Sequence, residues 1–192
     1  MARKVFFSFH YQRDYWRVNQ VRNSWLTQGR ANSFIDSADW EKVQRRGDKA
    51  IKEWIDRQLH GTSVTVVLIG KETHERKFVN YEIEQSHKKG NGIIGVRIHG
   101  LKDQNGDSAI FPGRNPFKNF ITDNDLIIPS TCADVYPVYP RISGDGYENL
   151  HHWVENAAKM AASGRKFTLE TYLWSKIEQD YIDVLAEVSN KT

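Results

Sequence analysis

"TSVTVVLIG", residues 62–70, decides the fold. Its apolar residues run on without alternation and are mostly β-branched, as in a strand buried on both faces. Such strands belong to parallel sheets covered by helices on both sides. The flanking sequence supplies those helices. Upstream, "GDKAIKEWIDRQLHG" places Ile51, Trp54, Ile55 and Leu59 on one helical stripe closed by glycine. Downstream, a helical pattern over 76–89 leads into "GIIGVRIHG" (92–100), a further strand. Nearer the start, "KVFFSFH" (4–10) is a β-rich run. "RDYWRVNQVRNSWLTQG" follows it with Trp16, Val18, Val21, Trp25 and Leu26 near helical spacing, and "ANSFID" (31–36) is a short strand candidate.

Four strand segments separated by helices imply parallel strands joined by right-handed crossovers. The expected class is α/β, a flavodoxin-like doubly wound, mostly parallel sheet. Ligands of such sheets sit beyond the carboxyl ends of the strands. That rule marks Ser8 to Tyr11, Asp36 to Trp40 and Ile69 to His74.

After residue 100 the texture changes. "LKDQNGDSAIFPGRNPFKNF" is rich in turn formers and is expected to be a long loop. "DLIIPS" and "VYPVYPRI" are short extended pieces whose prolines favour edge strands or loops. Two helices are expected in "YENLHHWVENAAKMAAS" and "TLETYLWSKIEQDYIDVLAEV", the second with Leu169, Leu173, Ile177, Tyr181, Val184 and Leu185 at helical spacing. The division is therefore a domain over 1–125 and a mainly helical C-terminal extension over 126–192. The extension packs on the domain and is not independent of it.

A chain of 192 residues that is 39% hydrophobic has enough apolar material for one well-buried domain with an appendage. The net charge of +3 is mild, and the densest basic run, "QRRGDK", is explained by a solvated helix start, so no nucleic-acid partner is expected. Cys132 is the single cysteine, which excludes an internal disulfide and points to a reducing, cytoplasmic setting. The apolar start is too short for a signal peptide, and "VTVVLIG" falls far below the roughly 20 residues that span a bilayer, so no membrane partner is expected.

Candidate chemistry narrows by elimination. "LIGKETHERK" has one glycine and no phosphate-loop spacing. Nucleophile elbow, Cys/His pair and zinc cluster are all missing, and a phosphoacceptor domain would need acidic residues after the first strand, where "FFSFHYQ" has none. No metal site is expected: His10 lacks a partner at ligand spacing, and adjacent His151 and His152 cannot readily face one ion from a helix. "FVNYEIEQSH" (78–87) carries two glutamates. Glu84 lies four before Lys88, the favourable order for a surface ion pair. Glu82 has no such partner and falls at the border of the apolar face, outside its stripe. Ser8, Phe9, His10 and Tyr11 end the first strand, either as site residues or as a capping serine and strand aromatics. Asp36 either begins a functional loop or makes an Asx turn. Trp40 either stacks on a base or packs that loop, with packing slightly favoured.

In order and spacing, "KVFFSFH", "FIDSADW", "TSVTVVLIG" and "FVNYEIEQSH" resemble the TIR-like family, in particular the TIR subunit of bacterial Thoeris anti-phage systems, over roughly residues 3–120. The resemblance implies that Glu82, four after an aromatic, is the carboxylate with which enzymatic TIR domains cleave NAD. The aromatic here is Phe78, where many relatives carry tryptophan. It further implies substrate binding by Ser8, Phe9, His10, Tyr11, Asp36, Trp40 and Phe78, and no cofactor beyond NAD as substrate. Its implied output is a cyclic ADP-ribose-type signal that activates a partner effector. Self-association through TIR surfaces and a phage-derived trigger are implied as well. The chemistry suits a lone carboxylate. Nicotinamide leaves as a neutral group, so what needs stabilising is an oxocarbenium-like transition state. The alternatives are a non-catalytic self-association module, against which Glu82 argues, and a nucleoside-transferring relative on the same fold.

Overall fold

Four strands, β1 (Val5–Phe9), β2 (Val64–Ile69), β3 (Gly92–Arg97) and β4 (Val138–Tyr139), lie side by side in that order, every pair parallel. Val5 stands beside Val64, Val64 beside Gly92, and Gly95 beside Val138. The computed structural model describes residues 3–27, 37–120, 132–140 and 146–163. The strand expected at 31–36, "DLIIPS" and the apolar stripe from Leu169 to Leu185 lie outside the described residues. Every residue of β1 and β2 is buried, as the unbroken apolar run of "VTVVLI" requires.

Strand alternation assigns the helices to two layers. Val5, Phe7 and Phe9 point to the face covered by α1 (Tyr11–Thr27) and α6 (Gly146–Ala162), where they meet Val18, Val21, Trp25, Leu150 and Val154. Phe6 points the other way, onto α2 (Ser37–Gln44) and α3 (Asp48–Leu59), against Trp40, Ile51, Trp54 and Ile55. On that same face Val67, Ile69 and Ile93 pack on Val79 and Ile83 of α4 (Lys77–Lys89), with Phe117 and Tyr136. Both faces of the sheet are thus covered, the doubly wound arrangement anticipated from the strand and helix order.

Helices α1, α3, α4 and α6 and strands β1, β2 and β3 fall where the periodicity places them. β4 is a short edge strand within "VYPVYPRI" and, like α6, comes from beyond residue 125. The loop expected at 101–120 is irregular apart from a 3₁₀ turn at Pro116–Asn119. Two helices escape the sequence pattern: four-residue α5 (Cys132–Val135) and α2, where the loop after Asp36 was expected. Over the eight residues of α2, Trp40 and Val43 are the only large apolar positions, too few to show a period.

Two glycines are required by geometry. Gly90 ends α4 with φ of 83°, its amide bonding the His87 and Ser86 carbonyls. Gly92 lets α6 rest on the start of β3, since a Cβ there would lie 2.3 Å from the Ala157 carbonyl oxygen. No helix of the described residues is long and apolar enough to cross a membrane.

Candidate active site

The buried positions of α4 are Val79, Glu82, Ile83 and Ser86, one stripe at i, i+3, i+4 and i+7. Glu82 is therefore on the stripe, 4% exposed, and not at its border. The polar letter in the middle of the stripe conceals its continuity. Glu84 points outward as expected, its carboxylate 2.5 Å from Lys88 Nζ, with both side chains well exposed.

Glu82 meets β1. The alternation that sends Phe7 and Phe9 to the α1 side sends Ser8 to the α4 side, and Ser8 Oγ donates to Glu82 Oε2 at 2.5 Å. Thr65 and Ser86 repeat the device one turn farther along, hydroxyl to hydroxyl at 2.7 Å. Ser8 is the one hydrogen-bond partner of Glu82 among the described residues, and no described cation pairs with it. Burial pushes the carboxyl up to about 8, the Ser8 hydroxyl opposing the shift.

Beside Glu82 lies a cavity of about 330 Å³. Phe9, Tyr11, Trp40 and Phe78 form its aromatic walls. The Tyr11 ring centre is 5.5 Å from that of Trp40 and 5.9 Å from that of Phe9, and Phe78 meets Trp40 edge-on at 6.3 Å. Flat aromatic walls around a carboxylate suit a ligand with planar rings and a sugar. Trp40 Nε1 and His10 Nδ1 are buried without a hydrogen-bond partner among the described residues. Burial, seconded by Arg76, lowers the affinity of His10 for a proton.

The mouth of the cavity is charged. Arg76 and Lys77 line it, and no side chain caps the start of α4. Arg76 Nη2 donates to Glu72 Oε2 at 2.9 Å, and Arg13 donates to the other oxygen of the same carboxylate. Lys77 pairs with Asp48. Behind this rim, buried Asp14 packs against Gly70, where a Cβ would lie 2.1 Å from Oδ2. Burial raises the Asp14 carboxyl to about 6 against the pull of Arg17 and Arg13.

Six of the anticipated residues thus surround one cavity: Phe9, His10, Tyr11, Trp40, Phe78 and Glu82. Ser8, expected to bind substrate, is fully buried outside the cavity lining and donates to the Glu82 carboxylate. Asp36 lies outside the described residues. Trp40 lines the cavity from helix α2 and not from a loop. None of Ile69–His74 is in the cavity lining, which takes up the chain again at Glu75; within the segment Gly70 N donates to Thr73 Oγ1 at 2.9 Å.

Arg76, Gln12 and Gln44 also line the cavity and were not anticipated. For Arg76 a signal exists in the sequence. "RK" at 76–77 stands at the start of a helix, where the macrodipole favours acidic residues, and the first turn of α4 has none. Cations placed against the dipole have a use for anions. The glutamines carry no comparable signal.

The chain is similar to known proteins. A family model described as "Thoeris protein ThsB, TIR-like domain" matches residues 6–103, about half of the chain, including all of β1 but Val5, all of α4 and every residue that lines the cavity. The chain is also 48% identical, over 193 aligned positions, to a protein of Bacillus cereus (strain MSX-D12) named "Putative cyclic ADP-D-ribose synthase ThsB1". That match covers 80% of this chain and 100% of the relative. The chain belongs to the Thoeris ThsB family of TIR-like proteins.

Proposed function

We propose that the protein cleaves the bond between nicotinamide and ribose in NAD and joins the ADP-ribose product into a cyclic nucleotide. The observation that carries this reading is Glu82, a carboxylate buried in the wall of an aromatic cavity and held by one hydroxyl. The name of the Bacillus cereus relative, a cyclic ADP-D-ribose synthase, supports it.

The site suits the reaction step by step. The nicotinamide ring of NAD is cationic and its ribose is flanked by hydroxyls. Phe9, Tyr11, Trp40 and Phe78 supply faces and edges for planar rings. An approaching pyridinium cation favours the ionised form of Glu82 over the neutral form that burial prefers. With Ser8 holding Oε2, the other carboxylate oxygen is left for the ribose. As the C1′–N bond breaks, positive charge spreads over C1′ and the ring oxygen, and the carboxylate stabilises it. Nicotinamide departs neutral, taking the bonding electrons, so no general acid is needed. Capture of C1′ by a hydroxyl of the same molecule closes the ring, whereas capture by water gives ADP-ribose. His10, which shares the lining with Glu82 and whose proton affinity burial lowers, is the residue assigned to accept the proton of the attacking hydroxyl.

In this reading the cyclic nucleotide acts on a separate effector, TIR surfaces mediate self-association, and a phage-derived trigger sets the timing. The test is incubation of the purified protein with NAD, with and without lysate from phage-infected cells, and mass spectrometry of the products. A cyclic ADP-ribose isomer from the parent and none from Glu82→Gln is the expected result. No consumption of NAD in either condition, or equal turnover by the parent and Glu82→Gln, overturns the reading.

A further inference from the structure

We propose that Arg13 and Arg76 form an anion clamp at the mouth of the cavity, that Glu72 occupies this clamp, and that the diphosphate of a dinucleotide exchanges with Glu72 for the two arginines. The inference rests on the preceding reading that the substrate is a dinucleotide.

Glu72 follows β2, and its two oxygens serve different partners: Oε1 accepts from Arg13 Nη1 and Oε2 accepts from Arg76 Nη2 at 2.9 Å. One carboxylate thus accepts from two guanidinium groups that reach it from different elements, α1 and the start of α4. The trio carries a net positive charge. The side chains of Arg13, Glu72 and Arg76 are 42%, 31% and 38% exposed, so each pair is a solvent-screened contact that an ion can enter at little cost. A diphosphate offers more charge and more oxygens than one carboxylate, in the geometry guanidinium groups bind best. Arg76 also has a donor to spare, since its buried Nε bonds no described group.

Position supports the same ligand. Arg76 lines the cavity and precedes Glu82 by six residues, about 9 Å along the helix axis at 1.5 Å per residue. With Glu82 at the sugar, Arg76, in the same lining, is the cation assigned to the phosphate side of that sugar. Lys77, the neighbouring cation, is held by Asp48. Glu72 then acts as an internal competitor that admits dinucleotides and holds back weaker anions.

Calorimetric titration of the whole chain with inorganic pyrophosphate tests the clamp. Glu72→Gln should bind pyrophosphate about 5- to 20-fold more tightly than the parent, and the double variant Arg13→Ala/Arg76→Ala at least about 10-fold more weakly. The gain in Glu72→Gln cannot arise from misfolding. The KM for NAD should move in the same directions. The KM for nicotinamide riboside, which lacks the diphosphate, should move less than that for NAD in each variant. Equal pyrophosphate affinity in the parent and Glu72→Gln, or weaker binding by Glu72→Gln, overturns the clamp. If pyrophosphate follows the expected order while the parent leaves NAD intact, the clamp stands and the NAD reading falls. If NAD is consumed with one KM in every variant, the clamp alone falls.

Discussion

Two cavities among the described residues differ in character. One, of about 330 Å³, lies at the carboxyl end of β1 against the first half of α4. The other, about 530 Å³, lies where the β3–β4 edge meets α5 and α6. The larger is walled by Ile93, Ile94, Val135, Val138, Ala157 and Met160, with Asp134 as the one carboxylate among its described lining residues. The smaller brings Glu82, His10 and Arg76 together with four aromatic rings. Volume favours the larger and chemistry the smaller. A site is marked by polar groups held at an energetic disadvantage, and Glu82, buried without a described counter-ion, is such a group.

The largest effect expected from testing this contrast is on Glu82→Gln, which keeps the size but removes the charge. If the carboxylate stabilises the transition state by roughly 3–4 kcal/mol, NAD cleavage falls by about 10²–10³. The parent's kcat/KM should rise with pH through about 8, the value to which burial lifts the Glu82 carboxyl, while the kcat limb sits lower because the bound cation favours the anion. Stability follows from the same shift. A carboxyl whose folded pKa lies above its unfolded value supports the fold below the ordinary range near 4.5, and that support is lost as pH climbs towards 8. Glu82→Gln lacks the titration, so its melting temperature should gain on the parent's between pH 5 and 8. A constant difference across that range would show that the carboxyl is not shifted.

Next in size is Gly92→Ala, aimed at the other region. The new Cβ would meet the Ala157 carbonyl and force α6 outward, at a cost of about 1–3 kcal/mol in stability. Thermal unfolding should register it, while NAD turnover per folded molecule stays at the parental level. A loss of turnover in the folded protein would join the two regions functionally and break the contrast.

Ser8→Ala should act more gently, reducing kcat by about 10-fold. Because the Ser8 hydroxyl opposes the rise of the Glu82 pKa, its removal should move the acid limb of the pH profile to higher pH. A uniform loss with an unmoved limb would limit Ser8 to packing. Smallest of all is Glu84→Gln, which forfeits an exposed pair with Lys88 worth a few tenths of a kcal/mol, and turnover should be nearly unchanged. Two glutamates two positions apart then differ by orders of magnitude in effect.

How far the site was legible varied with the range of the interaction. Glu84 was assigned correctly from i, i+4 spacing alone, since its partner lies one turn away. Glu82 was singled out for lacking such a partner, yet its place on the buried stripe was missed, because a carboxylate in a stripe looks like a gap in it. Trp40 drew attention as an aromatic near a strand end. That it sits on a helix and packs on Trp54, Tyr11 and Phe78 depends on chain segments far from it. Ser8 was placed at the right strand end, but its hydrogen bond to Glu82 could not be read from short-range spacing, because the two are far apart in the chain.

What the sequence determined by itself is what short-range arithmetic controls. The apolar run at 62–70 demanded a covered parallel strand, and helical spacing on either side placed the covering layers. What only the tertiary structure decided is the environment of each functional group. The hydrogen bond between Ser8 and Glu82 joins residues 74 positions apart, and the Glu72 carboxylate reaches Arg13 across 59. The pKa of a carboxyl is set by how much water and how many charges surround it, and those surroundings exist only once distant segments have packed.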